Sequence, residues 1–187
     1  PVPINVGTSV DYMWGKSTNQ VSVIETDARI PMKHALSQFV VRLKVSPEYH
    51  NDGNLTSAKL KATGAKFATT GTMNLNDGGK ITFQPTSTEL TWSPNTTVPA
   101  QGQQAVDYAA AIYPMTLAAG EVSLEVVIDG ATYTYAIPQI TWEAGKRYIY
   151  SITMRSNDAE IGGENGQSVT IEGWTSTEED ITLVPVK

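Results

Sequence analysis

The sequence predicts an all-β chain folded as an antiparallel sandwich, two packed sheets with Greek-key connections. Three observations predict it. Apolar and polar residues alternate at period two in successive runs from about residue 21 to the end. Clusters of Asn, Asp and Gly separate those runs. The composition is 40% hydrophobic but only 17% charged, with Thr, Ser, Asn and Gly filling the difference, a balance that suits strands and turns.

The runs follow in order. Ser37 to Val45 places Phe39, Val41, Leu43 and Val45 on one face and Gln38, Val40, Arg42 and Lys44 on the other. Ala58, Leu60 and Ala62 face inward while Lys59 and Lys61 face out. Glu121 to Ile128 aligns Val122, Leu124, Val126 and Ile128. Tyr133, Tyr135 and Ile137 form the next stripe, then Tyr148, Tyr150, Ile152 and Met154, and finally Val169 and Ile171 towards Trp174. One buried face and one wet face is the habit of antiparallel sheets.

The punctuation agrees. Asn51-Asp52-Gly53-Asn54 and Asn76-Asp77-Gly78-Gly79 are turn signals, because these residues tolerate positive φ. Asp129-Gly130 between two alternating runs predicts a tight hairpin. Ala144-Gly145-Lys146 precedes the Tyr148 strand, and Gly162 to Gly166 separates it from the last one. Helix is expected at most for a turn or two, at Ala35 to Gln38 and Gly102 to Ala111. Residues 1–20, broken by Pro1, Pro3, Gly7 and Gly15, read as a linker or a leading strand, and residues 21–187 as the sandwich domain.

Charge and cysteine usage exclude several functions. The net charge is −6 and the 13 Lys and Arg are scattered, so no nucleic acid or anionic membrane is expected as a partner. Zero Cys removes disulfides, thiolate metal sites and a Cys nucleophile. No apolar run approaches the ~20 residues that span a bilayer, so no transmembrane segment is expected in this chain. The Pro1-Val2-Pro3 start without Met reads as a trimmed product whose leader is absent.

Reactive chemistry finds little footing. The two histidines, His34 and His50, form no His-x-His or His-Glu-x-x-His motif, so His34 is expected to be a hydrogen-bonded structural residue and His50 a solvated one. No Gly-x-Ser-x-Gly occurs, and Gly78-Gly79-Lys80 lacks the rest of a phosphate loop. The acidic group Asp158, Glu160, Glu164 and Asn165 matches no known Ca²⁺ loop and reads as solvated. Asn54-Leu55-Thr56 and Asn95-Thr96-Thr97 match glycosylation sequons, a three-residue pattern of little weight by itself. Trp142 and Trp174 are expected to cap the core. Trp92, in a Thr-rich stretch, is expected to be more exposed and, with Trp14, Tyr12, Tyr108 and Tyr113, is the candidate for stacking on a sugar. No catalytic residue, cofactor-binding residue or metal ligand is assigned, no cofactor is expected, and the chain is read as no enzyme.

Several segments, in order and spacing, resemble one family. Gly7-Thr8-Ser9-Val10-Asp11-Tyr12-Met13-Trp14-Gly15 is followed by Ile30-Pro31-Met32-Lys33-His34-Ala35-Leu36 and the alternating strand to Leu43. Then come Ala110-Ala111-Ile112-Tyr113-Pro114, Gly130 to Tyr135, Trp142 to Ile152, and Ile171-Glu172-Gly173-Trp174. Together they resemble the fimbrillin family, the type V pilus subunits of Gram-negative gut and oral bacteria, over about residues 7 to 175 and mainly in its second domain. The resemblance implies a transthyretin-like β-sandwich and a structural or adhesive subunit of a cell-surface fimbria. It implies export as a lipoprotein precursor, a location at the fimbrium or outer membrane, and assembly with other pilus subunits by strand donation. Host or bacterial surface glycans or proteins are the further partners to consider. The alternative reading is a carbohydrate- or protein-binding β-sandwich module of a surface assembly. Ile181 to Lys187 is read either as the last strand of its own sheet or as a donor strand, and Lys16 and Arg29 as surface residues or sites of trimming.

Overall fold

A computed structural model describes residues 1–7, 10–16, 30–93, 96–97, 105–155, 159–160, 170–173 and 184–185, with backbone alone for 96–97 and for the last three segments. The first strands are β1 (Val2–Asn5), β2 (Met13–Gly15), β3 (Met32–His34), β4 (Ser37–Val45), β5 (Asn54–Ala62) and β6 (Thr70–Asn74). After a 3₁₀ turn at Leu75–Asp77 come β7 (Lys80–Phe83), β8 (Glu89–Trp92), β9 (Thr96–Thr97), β10 (Val106–Ile112), β11 (Met115–Leu117) and β12 (Val122–Ile128). The chain continues through β13 (Ala131–Ala136), β14 (Ile140–Trp142), β15 (Lys146–Met154), β16 (Ala159–Glu160), β17 (Thr170–Gly173) and β18 (Val184–Pro185). No α-helix occurs among the described residues.

Two larger sheets enclose the core. One runs β10-β4-β15, with β16 and β17 both on the far side of β15; the other runs β18-β13-β12-β5-β8, with β9 also on β5. Phe39, Val41, Leu43, Tyr148, Tyr150 and Ile152 face Ala58, Leu60, Val122, Leu124, Val126 and Ile128, and each of these side chains is fully buried. Phe39 ties the layers together. Its ring stacks on Tyr150 at 4.3 Å and meets the edges of Trp142 and Trp92 at 5.7 Å each. A third sheet, β1-β6-β7, closes one side and contributes Ile4 and Met73 to the same core.

The expected inward stripes on β4, β5, β12 and β15 are the observed ones. The Asp129-Gly130 turn also forms as expected, with both residues at positive φ (50° and 79°), which fits a two-residue hairpin between β12 and β13. The helical expectations fail. Ala35 and Leu36 form a bend before β4. Residues 106–111 are part of β10, where seven pairs with β4 outweigh the helix preference of Ala109, Ala110 and Ala111.

One pairing departs from the antiparallel expectation: β15 lies parallel to β4 over eight pairs, from Arg147 opposite Gln38 to Met154 opposite Val45. The starts of both strands are pinned together. The Gly145 amide donates to the Leu36 carbonyl at 2.9 Å, and Ser37 Oγ donates to the Glu143 carbonyl at 2.8 Å. Parallel strands are ordinarily covered on both faces. Accordingly Val40 and Ile149, which point away from the core side of this sheet, are fully buried as well.

Trp174, Arg29, Asp158, Glu164, Asn165, and residues 8–9, 17–28, 94–95, 98–104, 161–163, 166–169, 181–183 and 186–187 lie outside the described residues.

Candidate functional site

The described side chains named from the sequence do not converge on a reaction centre. His50 is exposed, whereas His34 is half-buried and its Nδ1 meets Asp11 Oδ2 at 2.9 Å and Oδ1 at 3.1 Å. No group of three His, Asp or Glu able to hold a metal occurs among the described residues. Trp142 is fully buried, its Nε1 donating to the Tyr150 hydroxyl at 3.4 Å. Trp92 differs from its expected exposure: it is half-buried and packs edge-on against Phe39. The reason is register, since Trp92 sits opposite the fully buried Ala58 and so shares its inward face. Tyr113 is also buried, donating its hydroxyl to the Lys66 carbonyl at 2.5 Å.

Burial raises the pKa of several tyrosines above the ordinary value, most for Tyr150 in the centre of the core. The same holds for Tyr148, Tyr113 and Tyr135. Tyr49 is raised by burial first and then by its hydrogen bond to the Asp129 carboxylate. That carboxylate also accepts from the Gly53 and Asn54 amides at 2.9 Å each, so one side chain holds two turns together. These groups are locked into structure.

Charged groups on the outer side of the first sheet behave alike. Asp107 on β10 accepts from Arg42 Nε at 2.5 Å and Nη2 at 2.6 Å, and from Arg147 Nη2 at 2.6 Å. Register puts the three on one face, because Asp107 lies opposite Arg42, and Arg42 lies beside Ser151, four residues along β15 from Arg147, so the long Arg147 side chain reaches along the face to Asp107. The Arg42 side chain is only 7% exposed, so this is a buried bidentate pair clasping three adjacent strands.

What remains available is backbone. Among the described residues β13 is the outer strand of the second sheet but for β18, which pairs Val184 with Thr134 and Pro185 with Tyr133. Proline has no N–H to donate, so that short closure is weak. β10 borders the first sheet, where among the described residues its outward edge receives the Gly7 amide at the Ala111 carbonyl, 2.7 Å away. Sheet edges of this kind are templates for another strand.

A second open feature is the two-stranded ribbon β2–β3. Trp14 and Lys33, paired across it, share one face, with Lys33 Nζ 5.5 Å from the ring centroid. The Trp14 ring lies so close over Gly79 that a Cβ there would run into it. The opposite face carries Met13, Gly15 and Met32. The exposed large apolar residues among those described are Val10, Met13, Ile30, Met32 and Leu75, and four of the five belong to this ribbon or its immediate flanks.

Two facing β-sheets around one apolar core define the class, a β-sandwich protein. Within that class the chain belongs to the fimbrillin-like family, whose model matches residues 5–174. It is similar in fold to a candidate cell adhesion protein from Bacteroides uniformis, at 16% identity and a TM-score of 0.65, over 92% of this chain and 65% of that one. A second candidate cell adhesion protein, from Bacteroides ovatus, matches at 20% identity and a TM-score of 0.48, over 83% and 47%. A fimbrial protein from Bacteroides vulgatus matches at 17% and 0.45, over 78% and 56%. The chain thus spans less than two thirds of the length of these structures. No curated protein matches it in sequence.

Proposed function

We propose that the chain is a structural subunit of a cell-surface fimbria, without enzymatic activity, and that it joins neighbouring subunits by exchanging a strand. Family membership supports the fimbrial role. The observation that supports the exchange is that, among the described residues, the six-residue strand β13 is closed by two residues of β18, one of them proline. A complete donated strand burying about four apolar side chains would gain roughly 6–12 kcal/mol before ordering costs, far more than two ladder pairs. Location at the fimbrium or outer membrane and an exported lipoprotein precursor follow from the same reading. Of residues 1–20, β1 is read as a leading strand of the domain, because Ile4 and the adjoining Val6 are buried in its core.

Deleting residues 180–187 tests the exchange. The shortened chain should keep its melting temperature to within about 3 °C, and the full chain alone should form ladders of oligomers resistant to detergent. A collapse of the melting temperature on deletion, or identical ladders with and without the segment, would reject strand exchange through this end.

A further inference from the structure

We propose that the outward face of the β2–β3 ribbon is a site of reversible oxidation, at which hydrogen peroxide converts the thioethers of Met13 and Met32 to sulfoxides and thereby loosens the ribbon. The chain has five methionines. Met73 and Met154 are buried and Met115 is half-buried, whereas Met13 is 39% and Met32 52% exposed. Register sets the two exposed ones on the same side. Met13 pairs with His34 and Gly15 with Met32, so these four residues occupy one face, while Trp14 and Lys33 occupy the other. Val10 and Ile30, at the flanks of the ribbon, are exposed apolar residues too. Both oxidisable sulfurs that solution can reach therefore belong to the molecule's most apolar exposed segment.

The step needs an accessible sulfur and a two-electron oxidant, and nothing else. A sulfur lone pair attacks one peroxide oxygen, the S–O bond forms as the O–O bond breaks, and the departing hydroxide takes the proton of the transferred hydroxyl and leaves as water. Sulfur loses two electrons and the peroxide gains them. A flexible apolar side chain becomes a polar one, and a sulfoxide reductase can reverse the change. Packing decides which of the two matters to the ribbon. Met32 Sδ lies 2.8 Å, and Ile30 Cγ2 2.6 Å, from the point where a Cβ on Gly15 would stand, so these two side chains fill the place of the one glycine lacks. A sulfoxide dipole at that place is drawn towards water and away from the Gly15 backbone. Three residue pairs hold β2 to β3, a small reserve against that pull. Met32 thus couples oxidation to the hold of the ribbon, while both residues turn its face from apolar to polar.

The test treats the intact chain with hydrogen peroxide and follows each methionine by peptide mass mapping, with amide exchange measured before and after. Met13 and Met32 should gain one oxygen roughly 10-fold faster than Met73 and Met154. The oxidised chain should keep its melting temperature to within about 3 °C, because the core methionines are untouched. Exchange at residues 13–15 and 32–34 should quicken about threefold or more, and return to its starting rate after treatment with sulfoxide reductases. M32L keeps an apolar side chain of similar volume over Gly15 but has no sulfur, so peroxide should leave its ribbon exchange unchanged even though Met13 is still oxidised. Oxidation of Met13 or Met32 no faster than of Met73 and Met154, unaltered exchange in the oxidised ribbon, or the same quickening in M32L would each overturn the assignment.

Discussion

Strand β4 and the β2–β3 ribbon are both sheet structure, yet they are held in opposite ways. β4 is nine residues long, paired on both edges, and shielded on both faces: Phe39, Val41 and Leu43 on one side, Val40 and Arg42 on the other. The ribbon has three residues per strand and, among the described residues, one partner each; one face rests on Gly79 through Trp14, and the other exposes Met13 and Met32. Period-two alternation describes either segment equally. What separates them is the number of neighbours, which decides whether a strand is scaffold or available surface.

The comparison breaks hardest at Phe39. Phe39→Ala removes the ring shared by Tyr150, Trp142 and Trp92, and should cost about 3–5 kcal/mol in chemical denaturation. A loss under about 1 kcal/mol would mean that β4 is not the keystone described. Alkali should act on the same centre. Tyr148, Tyr150 and Tyr49 have folded-state values above the unfolded one, so they hold their protons more tightly when folded. Their contribution is complete below the unfolded value of ~10 and is lost as pH rises beyond it, because unfolding then releases protons. The melting temperature should fall steeply between about pH 10 and 12, and less steeply in Tyr150→Phe. A flat profile would contradict the burial. The ribbon should respond least. Gly79→Ala combines a φ of +75° with a Cβ placed against Trp14, and should cost about 1–2 kcal/mol. Faster amide exchange should be confined to residues 12–15 and 32–34; spread into β4 would show that the two regions are one cooperative unit.

Much of the scaffold was legible in the residues. The stripes of β4, β5, β12 and β15 follow from side-chain alternation, and the Asp129-Gly130 hairpin from the conformations those two residues tolerate. The parallel seam was not, because alternation fixes faces but not partners. Its one trace was Val40 and Ile149, apolar residues at positions where a wet face would be polar. The strands β2, β3, β11 and β14 are three residues each, too short for a period to show. Trp92 was misjudged from its Thr-rich neighbours, since register against Ala58, a long-range property, sets its direction. Asp11 and His34 are 23 positions apart, and no local spacing announces their contact.

The parallel seam also orders events in time. β4 cannot acquire its second neighbour until β15, roughly a hundred positions further on, has been made, and such distant closures are slow. A polypeptide emerging from its beginning therefore carries a greasy strand with neither edge paired until β10 is made, and with one edge still bare until β15 follows. Any molecule stopped short of Lys146 would be left with that edge bare, ready to stick to its siblings.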